Sequence, residues 1–177
     1  NNGLELMWIT PLRALAKDIG RAMEEVLTEL NIPWKLGIRN GDTSVAERTR
    51  QKKQMPEILI ITPESLHLLL AQKGYPSLFQ SLAVIAVDEW HELLGSKRGV
   101  QVELALSRLI HLNENTRERP MIWGISATIG NLGEAGEVLL SPLQQLCITV
   151  TASIRKNIRV ESVFPDEIEK YPWAGHL

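Results

Sequence analysis

Apolar residues along this chain follow two alternating rhythms. Short stretches dominated by apolar side chains, at 4–9, 34–38, 57–61, 83–87 and 120–125, read as largely buried strands. Between them the spacing changes to that of helices. Leu12, Leu15, Ile19, Met23, Val26, Leu27 and Leu30 recur every three or four positions and predict a helix with a core face. A second long helix is predicted over 100–112, with Val102, Leu106 and either Leu109 or Ile110 turned inward. Strands alternating with helices in this way predict an α/β fold with a mainly parallel sheet.

Punctuation between the runs is specific. Thr10 is expected to cap the first helix, with Pro11 at its first position, where a missing N–H is harmless. Thr62 and Pro63 repeat that arrangement. Asn40-Gly41-Asp42-Thr43 is a turn signal. Ser44-Val45-Ala46-Glu47 is a capping box opening a short helix to about Gln54, made basic by Arg48, Arg50, Lys52 and Lys53. For those four charges an ordinary solvated face is the expectation. A connector is expected over 75–80, a short helix over 131–139 and a further strand over 146–150. Beyond Thr151 the pattern weakens, so 1–150 reads as one domain and 151–177 as a linker or the entry to a second.

Composition narrows the class. A formal charge of −2 argues against a protein that coats nucleic acid by bulk electrostatics. With only 2 Phe, 2 Tyr and 5 Trp, an extended base-stacking platform is not expected. The single cysteine, Cys147, excludes an internal disulfide and a cysteine-rich metal site. His67, His111 and His176 lack metal-ligand spacing and read as structural or surface residues. No apolar run approaches the ~18 residues of a membrane span, and no secretory signal is visible, so a cytoplasmic protein without membrane contact is expected.

The chemistry concentrates at strand ends. Val84-Ile85-Ala86-Val87 runs directly into Asp88-Glu89-Trp90-His91, the pattern of a buried parallel strand that projects two carboxylates from its carboxyl edge. Further on, Trp123-Gly124-Ile125 ends another strand at Ser126-Ala127-Thr128. Thr10-Pro11-Leu12-Arg13 and Thr62-Pro63-Glu64-Ser65 each place a helix N-terminus at the sheet edge, where free N–H groups and the positive dipole end suit phosphates. Arg39, Gly41, Asp42 and Thr43 are candidates for a third loop on that surface.

Taken in chain order, Thr10-Pro11-Leu12-Arg13, Asp88-Glu89-Trp90-His91 and Ser126-Ala127-Thr128 resemble the first motor domain of superfamily-two helicases of the Asp-Glu-x-His kind. Trp8 to Ala16, Asp88 to Gln101, Ser126 to Asn131 and the ending Tyr171-Pro172-Trp173-Ala174-Gly175-His176-Leu177 resemble the large helicase-related, ligase-associated branch. The resemblance implies a three-layer α/β/α RecA-like domain of the P-loop NTPase class, using ATP and Mg²⁺. It implies that Asp88 holds the metal, that Glu89 is general base or water positioner, and that His91 passes the state of the phosphates to Ser126 and Thr128, which couple hydrolysis to the strand. Thr10, Pro11, Arg13, Gly41, Thr62, Pro63, Glu64 and Ser65 would touch nucleic acid. The implied partners are single-stranded DNA, a DNA or RNA–DNA duplex, and a second motor domain in the same protein; the implied activity is 3′-to-5′ unwinding linked to DNA repair.

One departure stands out. No Gly-x-x-x-x-Gly-Lys-Ser/Thr phosphate loop occurs, nor any Gly-Lys pair, so a fragment whose front end is missing is expected. These 177 residues alone should not unwind duplexes. The strand that precedes the loop is expected beside the one delivering Asp88; its lack should leave a gap or an exposed edge, and a poorly stable or self-associating piece. The rival readings are a non-catalytic nucleic-acid-binding module and an RNA-directed DEXH-box helicase. A flavodoxin-like enzyme is disfavoured by the lack of a Gly-rich dinucleotide loop.

Overall fold

The structure is a computed structural model, and it describes residues 3–112, 119–127, 129–144, 147–151 and 159–161. Its elements run β1 (Leu6–Ile9), α1 (Arg13–Glu29), β2 (Leu36–Arg39), α2 (Val45–Lys53), β3 (Ile58–Ile61), α3 (Pro63–Leu70), β4 (Val84–Val87), α4 (Trp90–Leu93), α5 (Lys97–Leu112), β5 (Met121–Gly124) and α6 (Leu132–Leu140). The five strands form one sheet in the order β2-β3-β1-β4-β5, every pair parallel. Parallel strands cannot be joined by hairpins, so each connection crosses over through a helix, as the alternating rhythms predict.

The main core lies on one face of the sheet. There Met7, Ile9, Leu59, Ile61, Ile85 and Val87 meet Leu66 and Leu69 of α3 and Val102, Leu106 and Leu109 of α5. Leu109 and Ile110 are both buried, because α5 is enclosed on a wider arc than a single inward stripe. The short helix α4 and the long α5 that follow β4 are held tightly together. A Cβ on Gly99 would stand 2.0 Å from the Leu93 carbonyl oxygen, so only glycine lets α5 start where it does. Every strand ends at the same edge of the sheet, and the candidate residues lie on the turns that leave it.

The other face is covered by α1, and here the structure corrects two expectations. The helix starts at Arg13 with Leu12 in the cap position, so Thr10 is not its cap and Pro11 is not its first residue. Thr10 instead extends β1, its N–H bonded to the Ile61 carbonyl at 3.0 Å. The predicted core face is also only half used. Ala16 and Gly20 are the buried residues of α1, while Leu12, Val26 and Leu30 are exposed. A Cβ on Gly20 would lie 3.3 Å from Ile38 Cδ1: the helix approaches the sheet through small residues one turn apart, and its larger apolar side chains splay to the flanks.

Three further expectations change. The short helix α4 was not foreseen between Glu89 and the long helix. The strand expected over 146–150 is not found among the described residues of that stretch, where Ile148 and Val150 are exposed; Leu146 lies outside them. Nor is there a gap beside the Asp88 strand, since β4 is paired on both sides, by β1 and β5. An exposed edge does occur, one strand further out at β5, where Met121 and Trp123 are both exposed. Most of the segment expected as a linker, 151–177, falls outside the described residues. No helix among the described residues is long and apolar enough to cross a membrane.

Candidate functional site

Asp88 is carried off the end of β4 into the buried side of the sheet edge, only 8% exposed. Its Oδ1 accepts the Glu89 N–H at 3.0 Å, and its Oδ2 accepts the indole N–H of Trp8 at 3.4 Å. Trp8 lies on the neighbouring strand, level with Ala86. It was not singled out as a site residue from the sequence; the available signal was an aromatic two residues before the Thr-Pro pair, on a strand beside the acid-bearing one. Both donors to Asp88 are neutral, and no cation pairs with it among the described residues.

Glu89 sits at φ 48°, ψ 43°, a left-handed conformation that costs a residue with a Cβ about 1–2 kcal/mol. The surrounding bonds enforce it. Trp90 N–H is tied to the Ile125 carbonyl at 3.0 Å, Glu92 N–H to the Glu89 carbonyl at 2.8 Å, and the Trp90 indole N–H to the Ala135 carbonyl at 2.8 Å. The buried Trp90 acts as an anchor that turns Glu89 and His91 outward from the core.

His91 joins the acids to the end of β5. Its Nδ1 accepts the Ala127 N–H at 3.3 Å and lies 3.1 Å from Ser126 Oγ. An Nδ1 that accepts from an amide carries no proton, so the network assigns the proton to Nε2, which faces Glu92 Oε1 at 3.5 Å. The Glu89 carboxylate is 3.3 Å from the same Nδ1. One atom cannot accept from the loop and donate to Glu89 at once. The imidazole thus lies between the acid pair and Ser126-Ala127, in reach of both. Thr128, expected to share this role, lies outside the described residues.

The loops after β1, β2 and β3 are tied into one surface. Arg13 Nη1 bonds Asp42 Oδ1 at 3.3 Å, bringing the start of α1 against the loop that holds Gly41. That loop is an Asx turn, Asn40 Oδ1 accepting the Asp42 N–H at 2.9 Å. Its neighbour Ser44 caps α2 by accepting the Glu47 N–H at 3.2 Å. The side chains of Thr10, Thr62 and Ser65 do not face solvent. All three residues are buried; the Thr62 hydroxyl donates to Ser65 Oγ at 3.1 Å, and Thr10 Oγ1 has no partner among the described residues. Pro11 and Pro63 are buried as well. Thr10, Pro11, Thr62, Pro63 and Ser65 thus shape the surface from beneath, and Arg13, Gly41 and Glu64 are its exposed members.

Arg98, within the Asp88–Gln101 segment, ties two of these loops together without having been a candidate site residue. Its Nε donates to Glu64 Oε1 at 2.6 Å and its Nη2 to the Pro11 carbonyl at 2.7 Å. One guanidinium fork thereby holds the first turn of α3 to the loop before α1. Burial alone would raise the Glu64 carboxyl. The Arg98 hydrogen bond, its own backbone N–H, the Arg98 charge and the Thr62 hydroxyl outweigh burial and hold it below the usual carboxylate range. The contact therefore persists above the ordinary glutamate value of about 4.3 and is lost as pH falls through the lowered folded value. Arg98→Ala is expected to lower stability by no more than about 1 kcal/mol, since the pair is largely exposed. Arg98→Lys should not restore the loss in full, for it lacks the fork. Urea unfolding of the three proteins checks the ranking.

This architecture has known counterparts. The family model of the DEAD/DEAH box helicases matches residues 1–135. The chain belongs to that family. Among curated relatives, the ATP-dependent helicase Lhr-Core of Methanothermobacter thermautotrophicus is 33% identical over 172 residues, covering 90% of this chain and 19% of its own length. The Lhr helicase/uracil glycosylase of Escherichia coli is 34% identical over 146 residues, 76% of this chain and 9% of its own. Among solved structures, the Mycobacterium smegmatis helicase Lhr bound to single-stranded DNA and AMP-PNP superposes with a TM-score of 0.67 at 31% identity, over 77% of this chain and 18% of that one. The chain thus spans a fifth or less of these relatives' lengths. The parallel sheet and its flanking helices are those of a RecA-like helicase domain, and the Asp88–His91 and Ser126 segments lie at its strand ends.

Proposed function

We propose that this chain is part of the first motor domain of an ATP-dependent DNA helicase that moves 3′ to 5′ along one strand and serves DNA repair in the cytoplasm. The observation that carries the proposal is the bridge from Glu89 through His91 to Ser126 and Ala127. A binding module needs no link between an acid pair and a strand-end loop; a motor does. The acid pair suits Mg²⁺–ATP, because Asp88 offers a buried carboxylate with only neutral donors on it, and Mg²⁺ takes oxygen ligands. When bound, the metal neutralises charge on the transferring phosphate. The chain's own residues do the rest. Asp88 is oriented by Trp8 and its own neighbour's N–H. Glu89, turned outward by its left-handed backbone, orients a water and takes its proton. His91 transmits whether Glu89 is engaged. Gly41, Arg13 and the backbone of the Thr10-Pro11 and Thr62-Pro63 loops face the strand.

The phosphate loop and the second motor domain would complete this site; residues 151–177 would lead toward the latter. DNA is favoured over RNA as substrate because the solved relative at 31% identity carries single-stranded DNA. The test is unwinding by the full-length protein of DNA duplexes with a 3′ or a 5′ tail, beside matched RNA–DNA and RNA duplexes. ATP-dependent separation of the 3′-tailed DNA is the expected result. Unwinding confined to RNA duplexes, or to 5′ tails, would overturn the substrate or the direction.

A further inference from the structure

Arg50, Lys52 and Lys53 of α2 are exposed, as a solvated face requires, but Arg48 is half-buried and faces a buried arginine of β2. Arg39, at the end of β2, is only 4% exposed, and the one hydrogen bond of its guanidinium among the described residues is a 3.4 Å contact from Nη1 to the neutral Gln51 Oε1. Arg48 turns back from α2. Its Nη2 donates to the Asn40 carbonyl at 2.9 Å, and its buried Nε has no partner among the described residues. Arg39 and Arg48, with Lys52, Thr49 and Ser65 and the apolar Val45 and Leu68, line an open cavity of about 330 Å³ between α2 and α3. No acidic side chain lines it. The nearest candidate on α2, Glu47, is engaged by Arg50 and Gln51 instead.

Arranged this way the charges oppose one another. Burial first, and the Arg48 charge second, hold the Arg39 guanidinium below its ordinary value. A buried cation without a carboxylate is unfavourable in a folded protein unless something offsets it. The complement is an anion able to accept from two forks and an ammonium together, with hydroxyls beside them. A phosphate group, with several acceptor oxygens and up to two charges, meets that requirement better than a single carboxylate does.

We infer that the cavity between α2 and α3 is a phosphate-binding site built on Arg39, Arg48 and Lys52, separate from the acid pair at the end of β4. It rests on this geometry alone and does not depend on the helicase reading. The phosphate comes either from a nucleic-acid backbone, reached from the adjoining Asn40-Gly41 loop that Arg48 holds, or from a free phosphate or nucleotide.

The test is calorimetric titration of the full-length protein with inorganic phosphate, against chloride at matched ionic strength. Wild type should bind phosphate saturably. Lys52→Glu, on the rim, and Arg39→Gln, at the base, should each weaken it roughly tenfold or more, while Lys52→Arg retains it. If the phosphate is that of a strand, inorganic phosphate should compete with an oligothymidine probe, and Lys52→Ala should lower the salt dependence of oligonucleotide binding by about one unit of slope. If it is free phosphate, phosphate binds and the oligonucleotide is unaffected. Binding indistinguishable from chloride, or phosphate affinity unchanged in a folded Lys52→Glu protein, overturns the site.

Discussion

Glu89→Gln is expected to lower ATP turnover by the full-length protein by about 10²–10⁴, the range for losing a positioned general base. The residue is held in its left-handed conformation by backbone bonds at Glu89, Trp90 and Glu92 that do not involve its carboxylate. Glutamine has the same shape and the same backbone strain. Folding and strand binding should therefore be unchanged within about twofold, and the loss should fall on the chemical step. Steady-state ATP hydrolysis beside oligonucleotide anisotropy separates the two. Turnover within about tenfold of wild type would remove Glu89 from the proton-accepting role and leave it a structural cap.

Trp90→Ala carries the largest expected cost in stability. The indole is 2% exposed, packs into the main core, and donates to the Ala135 carbonyl at 2.8 Å. Removing such a side chain costs about 3–5 kcal/mol, a large share of the ~5–15 kcal/mol of a whole domain. Trp90→Phe restores most of the packing but loses the hydrogen bond to the Ala135 carbonyl, at about 1 kcal/mol. Urea unfolding should rank wild type above Phe above Ala. An alanine variant within about 1 kcal/mol of wild type would show that α4 is not the anchor of the acid pair.

The asymmetry between what the sequence disclosed and what it hid has physical causes. Five strands and the order of elements were legible because buried parallel strands are unbroken apolar runs and the long helices have clear periods. The acid pair was legible because a strand that ends in two carboxylates is a strong local pattern. Thr10 misled because Thr-Pro signals a helix start without saying how many residues the preceding strand consumes. The face of α1 misled because helix–sheet proximity is set by the small residues Ala16 and Gly20, which a hydrophobic period does not weigh. The contacts that Arg98, Arg39 and Arg48 make were invisible for another reason. Their partners lie 87, 12 and 8 residues away in sequence, and a charge near its partner reads the same as a charge facing water. Trp8 reaching Asp88 across 80 residues belongs to the same class.

The coupling of strand to hydrolysis is what distinguishes this reading from that of a passive binding module, and it rests on the contact between His91 and the Ser126-Ala127 segment. The most direct measurement is ATP hydrolysis by the full-length protein with and without single-stranded DNA, in wild type and in Ser126→Ala. Wild type should be stimulated by DNA, and in the variant the ratio of stimulated to unstimulated rate should fall toward one while strand binding persists. A wild-type enzyme indifferent to DNA, or a variant stimulated as fully as wild type, would contradict the relay.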